Sequence, residues 1–172
     1  GEVVATGSGG GAPEVMTFRV IEAAGLNKDS DMTRERLGVA ESVNALKDRK
    51  IALDQELPVS LRAWEERKGG GSLMFIEPRS TPKVSDLLRG MIVNSGNDAS
   101  VALAEGVGGT LPTFIEMMNR QAQAFGLKNT VFKNVTGLTE PGHHSSARDL
   151  AVIASRIIKD FPDFYPIYST RK

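Results

Sequence analysis

Apolar positions recur every third or fourth residue along much of this chain, and polar or glycine-bearing stretches interrupt them at intervals of roughly a helix length. The spacing predicts a helix over 33–48, "TRERLGVAESVNALKD", where Leu37, Ala40, Val43 and Leu46 fall on one face. Residues 14–25, "EVMTFRVIEAAG", read as a shorter helix closed by Gly25. Residues 53–64, "LDQELPVSLRAW", read as an extended segment followed by a short helix, and 66–78 as a glycine-rich loop followed by an apolar run that fits a strand or a packed loop. Ser85 can cap "DLLRGMIVN", with Pro82 at the helix entrance, and 99–107 read as a second, mostly apolar helix. A third helix spans 111–126; Phe114, Met117, Met118, Ala122 and Phe125 form its buried stripe and Gly126 ends it. Residues 129–138, "NTVFKNVTGL", are β-rich and end in a turn. A fourth helix occupies 146–160, where Ser146 and Asp149 have the spacing of a capping box.

The pattern changes near residue 46. Upstream lies a Gly/Ser tract, Gly7–Ala12, that reads as a flexible linker. Downstream, caps, turns and helical periods agree with one another, as they do in a sequence that specifies one structure. Residues 1–44 are therefore expected to form a separate N-terminal segment, and 45–172 one partial domain.

Composition narrows the function classes. Lys plus Arg and Asp plus Glu number 21 each, so charge gives no reason to expect nucleic acid or an anionic membrane as partner. There is no cysteine, which excludes disulfides, thiolate catalysis and Cys-ligated zinc. No apolar run approaches the ~20 residues of a membrane span. No signal peptide opens this stretch, so a targeting segment is expected outside it.

Two apolar helices are broken by "NSGNDAS", with Ser95, Gly96 and Asn97 at the corner. Local chemistry permits a helix C-terminus with Gly96 near the left-handed position. It also permits a site corner at which Ser95 and Asn97 point into a cleft, and Ser-x-Asn alone does not decide between them.

The surroundings of that corner do more. "VSDLLRGMIVNSGNDASVALAEGVGG", "FIEMMNRQAQAFGLKNTVFKNVTGL" and "GHHSSARDLAVIASRII" occur in an order that closely resembles the D-alanyl-D-alanine carboxypeptidases, the low-molecular-mass penicillin-binding proteins. "LDQELPVSLRAWEERKGGGSLMFIEP" resembles the same family's segment ahead of the first matched helix. The resemblance implies an α+β, β-lactamase/D,D-peptidase-like fold, represented here mainly by its helical subdomain with an incomplete antiparallel sheet. It also implies a serine mechanism through an acyl-enzyme, built on Ser-x-x-Lys, Ser-x-Asn and Lys-Thr-Gly. Only the middle motif carries over. On it, Ser95 relays a proton between lysines and towards the leaving D-alanine, and the Asn97 amide bonds the substrate backbone and helps hold the lysine.

The other motifs depart from the family. Alignment on "ALKDRKI" places Met32 where the nucleophile belongs and Glu35 at the lysine, and neither side chain can do that chemistry. Lys-Thr-Gly is not found. One formal Ser-x-x-Lys exists, Ser80–Lys83, but Pro82 belongs to the approach of a helix, so Ser80 and Lys83 are expected in a loop. On these grounds the unmatched first ~40 residues read as a fusion, a misread start or a shifted frame, and this chain alone is expected to be inert.

The remaining candidates have plainer readings. His143 and His144 are adjacent and read as surface loop, and Asp98 and Glu105 as solvated charge or helix N-terminal stabilisation. "RKGGG" at 67–71 lacks the Walker spacing and reads as a flexible loop. The resemblance implies no metal and no organic cofactor. Its partners are peptidoglycan peptides ending in D-Ala-D-Ala and β-lactams, not nucleic acid. Its place is extracytoplasmic, with a parent tethered to the membrane through a C-terminal segment outside this stretch. Two other readings stay open: a non-catalytic relative that binds peptidoglycan peptides, and a helical interaction module whose Ser95 and Asn97 are exposed and unpartnered.

Overall fold

A computed structural model describes residues 3–4 and 51–170 of the chain. The helices expected over 14–25 and 33–48, Met32 and Glu35, and all of segment 1–44 except residues 3–4 lie outside the described residues. In chain order the elements are β1 (Val3–Val4), α1 (Leu61–Glu65), a 3-10 turn (Glu66–Lys68), α2 (Val84–Asn94), α3 (Asn97–Gly108), α4 (Leu111–Ala124), β2 (Ser145–Ser146), α5 (Ala147–Asp160) and a second 3-10 turn (Tyr165–Ser169).

α2 presents Val84, Leu87, Leu88, Met91 and Ile92 to the interior, the i, i+3, i+4, i+7, i+8 stripe of a core-facing helix. Leu87 and Leu88 are fully buried, each worth about 1.5–3 kcal/mol of apolar transfer. α3 is the central element and packs against α1, α2 and α4. Every residue from Asn97 to Ala104 is buried, which explains why its sequence shows little polar face. α4 buries Phe114, Met118 and Ala122, while Met117 and Phe125 stay half-buried at the edge of the stripe. Gly126 follows at φ +72°, the left-handed position expected to end this helix. Ser146 Oγ accepts the Asp149 N–H at the start of α5, as its capping spacing predicts.

Local expectations are corrected here, and one open alternative is decided. Ser85 is not the cap of α2, which begins at Val84. Its first N–H groups are met by main chain: Val84 N–H donates to Gln55 O and Ser85 N–H to Leu53 O, both at 2.9 Å. Residues 53–55, a turn in place of the extended segment expected there, thus supply the cap. The apolar run after the glycines is a packed loop, not a strand. The β-rich stretch 129–138 contributes only a bridge between Val131 and His144. Its next residue, Phe132, has its N–H and C=O bonded to the Asn119 carboxamide, both at 2.9 Å, so a side chain on α4 takes the place of a neighbouring strand.

The sheet among the described residues is one antiparallel pair, Val3 with Ser146 and Val4 with Ser145.

Candidate active site

The corner between α2 and α3 is made by Ser95 and Gly96. Ser95 itself, not Gly96, holds the left-handed conformation (φ 55°, ψ 40°). For a non-glycine residue that is uncommon and costs free energy, and such strain persists where the surroundings fix it. Gly96 has an ordinary extended backbone and is required for space. A Cβ there would stand 3.0 Å from Met74 N, 3.1 Å from Asp98 Oδ1 and 3.2 Å from Gly90 O.

Gly96 has no side chain to cap α3, so other groups meet the first N–H donors. Asn97 N–H donates to Ser72 O at 2.9 Å, and Ala99 N–H to Asp98 Oδ1 at 2.9 Å. Gly96 O in turn receives Ser100 N–H at 3.0 Å and Ser100 Oγ at 2.9 Å. The break in the helical pattern is therefore a tight, fully engaged turn.

Ser95 is half-buried, while Asn97 is only 4% exposed. The Asn97 carboxamide donates to Gly70 O at 3.4 Å, so the glycine-rich segment lies over it. Gly71 (φ +95°) passes so close that a Cβ would stand 2.7 Å from Asn97 Nδ2. The glycines of "RKGGG" thus serve close backbone approach as well as turning.

Of the two roles expected for Asp98, it is not the solvated charge; it lies in the first turn of α3, the place of helix N-terminal stabilisation. It is 3% exposed. Oδ1 accepts the Met74 N–H at 2.8 Å and Oδ2 the Ile76 N–H at 3.1 Å. Phe75, between them, has φ +63° and a side chain 73% exposed. The Asp98 bonds were not legible in the sequence, because Met74 and Ile76 lie more than twenty positions away along the chain.

The other candidates stay apart from this corner. Ser80 Oγ donates to Glu77 O at 2.6 Å in the loop before α2, and Lys83 stands at the N-cap position without a side-chain capping bond, so the two do not share a helical turn. His143 follows the 141–142 turn and His144 forms the bridge to Val131; His143 Nδ1 accepts the Lys133 N–H at 3.4 Å and its ring meets Phe132 edge-on. Burial lowers the His143 pKa from 6.5, opposed by nearby Glu140 and aided by His144. The interaction-module alternative expects an exposed, unpartnered Asn97, which is not what this corner contains.

The helical cluster around this corner is similar to solved penicillin-binding proteins. The fold matches penicillin binding protein 6B from Escherichia coli with a TM-score of 0.76, at 41% identity over 80% of this chain and 44% of that one. Penicillin binding protein 5 from Haemophilus influenzae matches with a TM-score of 0.74 and 43% identity, over 79% of this chain and 40% of that one. Residues 39–172 match the D-alanyl-D-alanine carboxypeptidase family, and the chain belongs to it. Among its relatives, D-alanyl-D-alanine carboxypeptidase DacA of Haemophilus influenzae is 46% identical over 127 residues, which are 74% of this chain and 32% of that protein. DacD of Escherichia coli is 45% identical over 130 residues, 74% of this chain and 34% of the relative. The chain thus spans about a third of the length of these relatives.

Proposed function

We propose that the protein represented by this chain is a serine-type D-Ala-D-Ala carboxypeptidase of the cell wall, and that Ser95 and Asn97 form one wall of its peptide cleft. The observation that carries this reading is Ser95, strained into the left-handed region at a corner held by Gly96 N–H on Gly90 O and Asn97 N–H on Ser72 O. In the reaction, a serine on another wall attacks the carbonyl of the terminal D-Ala-D-Ala bond, D-alanine leaves, and water releases the peptide from the acyl-enzyme. Ser95 passes the proton to the departing amine. Asn97 holds the peptide backbone through its carboxamide, which must exchange Gly70 O for substrate. β-Lactams engage the same wall. The work is extracytoplasmic, with the parent tethered at the membrane, and this chain alone turns over no substrate.

The test is titration of the folded chain with an acetylated tripeptide ending in D-Ala-D-Ala, with the L-Ala-L-Ala peptide as control. Binding is expected for the D,D-peptide only, weakened about tenfold or more by Asn97→Ala, with no D-alanine released. Equal binding of both peptides, or none of either, overturns the reading.

A further inference from the structure

One carboxylate fixes both N–H groups that flank Phe75: Asp98 accepts from Met74 at 2.8 Å and from Ile76 at 3.1 Å. Phe75 is thereby held at φ +63°, a region that costs a non-glycine residue free energy, with its ring 73% exposed. Neither feature helps the fold by itself: the ring buries little apolar surface and the backbone is strained. On the other side, Ser72 O accepts the Asn97 N–H at 2.9 Å, and Gly96 leaves room for Met74 N where a Cβ would approach to 3.0 Å. Segment 72–76 is thus tied to the Ser95–Asn97 corner at three of its residues, two of them through Asp98.

We infer that Asp98 is a positioning residue of the peptide site. It touches no substrate. It acts by holding segment 72–76 against the corner, which orients the Asn97 carboxamide and keeps Phe75 at its positive φ with the residue exposed. The inference rests on the functional reading above. A carboxylate suits this task because it accepts several N–H groups at once and donates none, and the first turn of α3 favours its charge. Asparagine has nearly the same shape but turns an NH2 towards at least one of those donors.

The experiment compares the full chain with Asp98→Asn in three measurements: amide exchange, affinity for the D-Ala-D-Ala tripeptide, and the unfolding midpoint. Exchange protection at Met74 and Ile76 is expected to fall about tenfold or more while Leu103 and Ile153 keep theirs. Affinity is expected to fall about tenfold at a temperature where both proteins are fully folded. A lowered midpoint with unchanged affinity means that Asp98 only staples the loop, and overturns the inference while leaving the functional reading standing. Unchanged protection at Met74 and Ile76 overturns it too. A wild-type chain that binds no peptide overturns the functional reading and this inference together. If Asp98→Asn does not fold, Gly96→Ala presses on the same Met74 amide, and the same loss of affinity is expected from it; unchanged affinity in folded Gly96→Ala overturns the inference.

Discussion

The main-chain N–H of Asn97 donates to the carbonyl of Ser72 at 2.9 Å, so the residue that opens the central helix also anchors the glycine-rich segment lying over it. The Asn97 side chain repeats the link at Gly70 O, and Gly71 between them has no room for a Cβ. Gly71→Ala is therefore expected to destabilise the fold by about 1–3 kcal/mol, through its positive φ and the displaced Asn97 carboxamide together. Urea unfolding measures the loss; an unchanged midpoint shows that the segment does not press on Asn97.

Asp149 is a second buried carboxylate with a purely structural office. Its Oδ2 accepts the Asn129 N–H at 2.8 Å and the Thr130 hydroxyl at 2.7 Å, pinning the 129–130 segment to the first turn of α5. Asp149→Ala leaves the buried Thr130 hydroxyl and the part-buried Asn129 N–H without that acceptor and is expected to cost about 1–3 kcal/mol. Asp149→Asn, which retains an oxygen, should cost less. Equal losses in the two variants would sink this account.

Gly108 meets backbone, which cannot rotate away. A Cβ there would stand 3.0 Å from both the Cα and N of Phe114, where α4 begins against the end of α3. Gly108→Ala is expected to lower stability by about 1–3 kcal/mol despite alanine's better helix propensity. Thermal unfolding that shows a gain would mean the two helix ends part easily.

His143 makes stability depend on pH. Burial holds its folded pKa below 6.5, with Glu140 opposing and His144 adding to the shift. The unfolded chain then binds more protons than the folded one as pH falls below about 6.5, so stability decreases with acidification there. Protonation also removes the Nδ1 lone pair that accepts the Lys133 N–H. Urea midpoints between pH 7.5 and 5 are expected to fall in the wild type and to fall less in His143→Gln; parallel curves would contradict this assignment.

Ser80 is expected to carry no acyl group. Its hydroxyl is turned to Glu77 O and Lys83 sits at the helix boundary, not one turn beyond it. Incubation with a fluorescent penicillin should label neither the chain nor Ser80→Ala. A covalent adduct lost on that substitution would make Ser80 a nucleophile after all.

Much of the helical framework was legible because its determinants are local. The stripe Phe114–Met118–Ala122, the stop at Gly126 and the Ser146 cap on Asp149 each involve residues within a few positions of one another. The break at Ser95–Asn97 was legible for the same reason, and with its flanking motifs it pointed to the family. Local rules failed where a distant group completed the bonding. α2 is capped by Leu53 and Gln55 carbonyls in place of a Ser85 side chain, and Phe132 pairs with the Asn119 amide in place of a strand.

For residues 84–160, the sequence by itself determined which stretches are helices, about where they stop, and that one polar corner interrupts them. Only the tertiary structure decided which residues occupy that corner's strained and buried positions. Ser95 takes the left-handed conformation, Asn97 lies under Gly70, and Asp98 grips Met74 and Ile76. Those bonds join residues 22 to 27 positions apart. Periodicity and capping extend only about one helical turn, so a contact of that span exists only once the helices have packed and brought the loop to the corner.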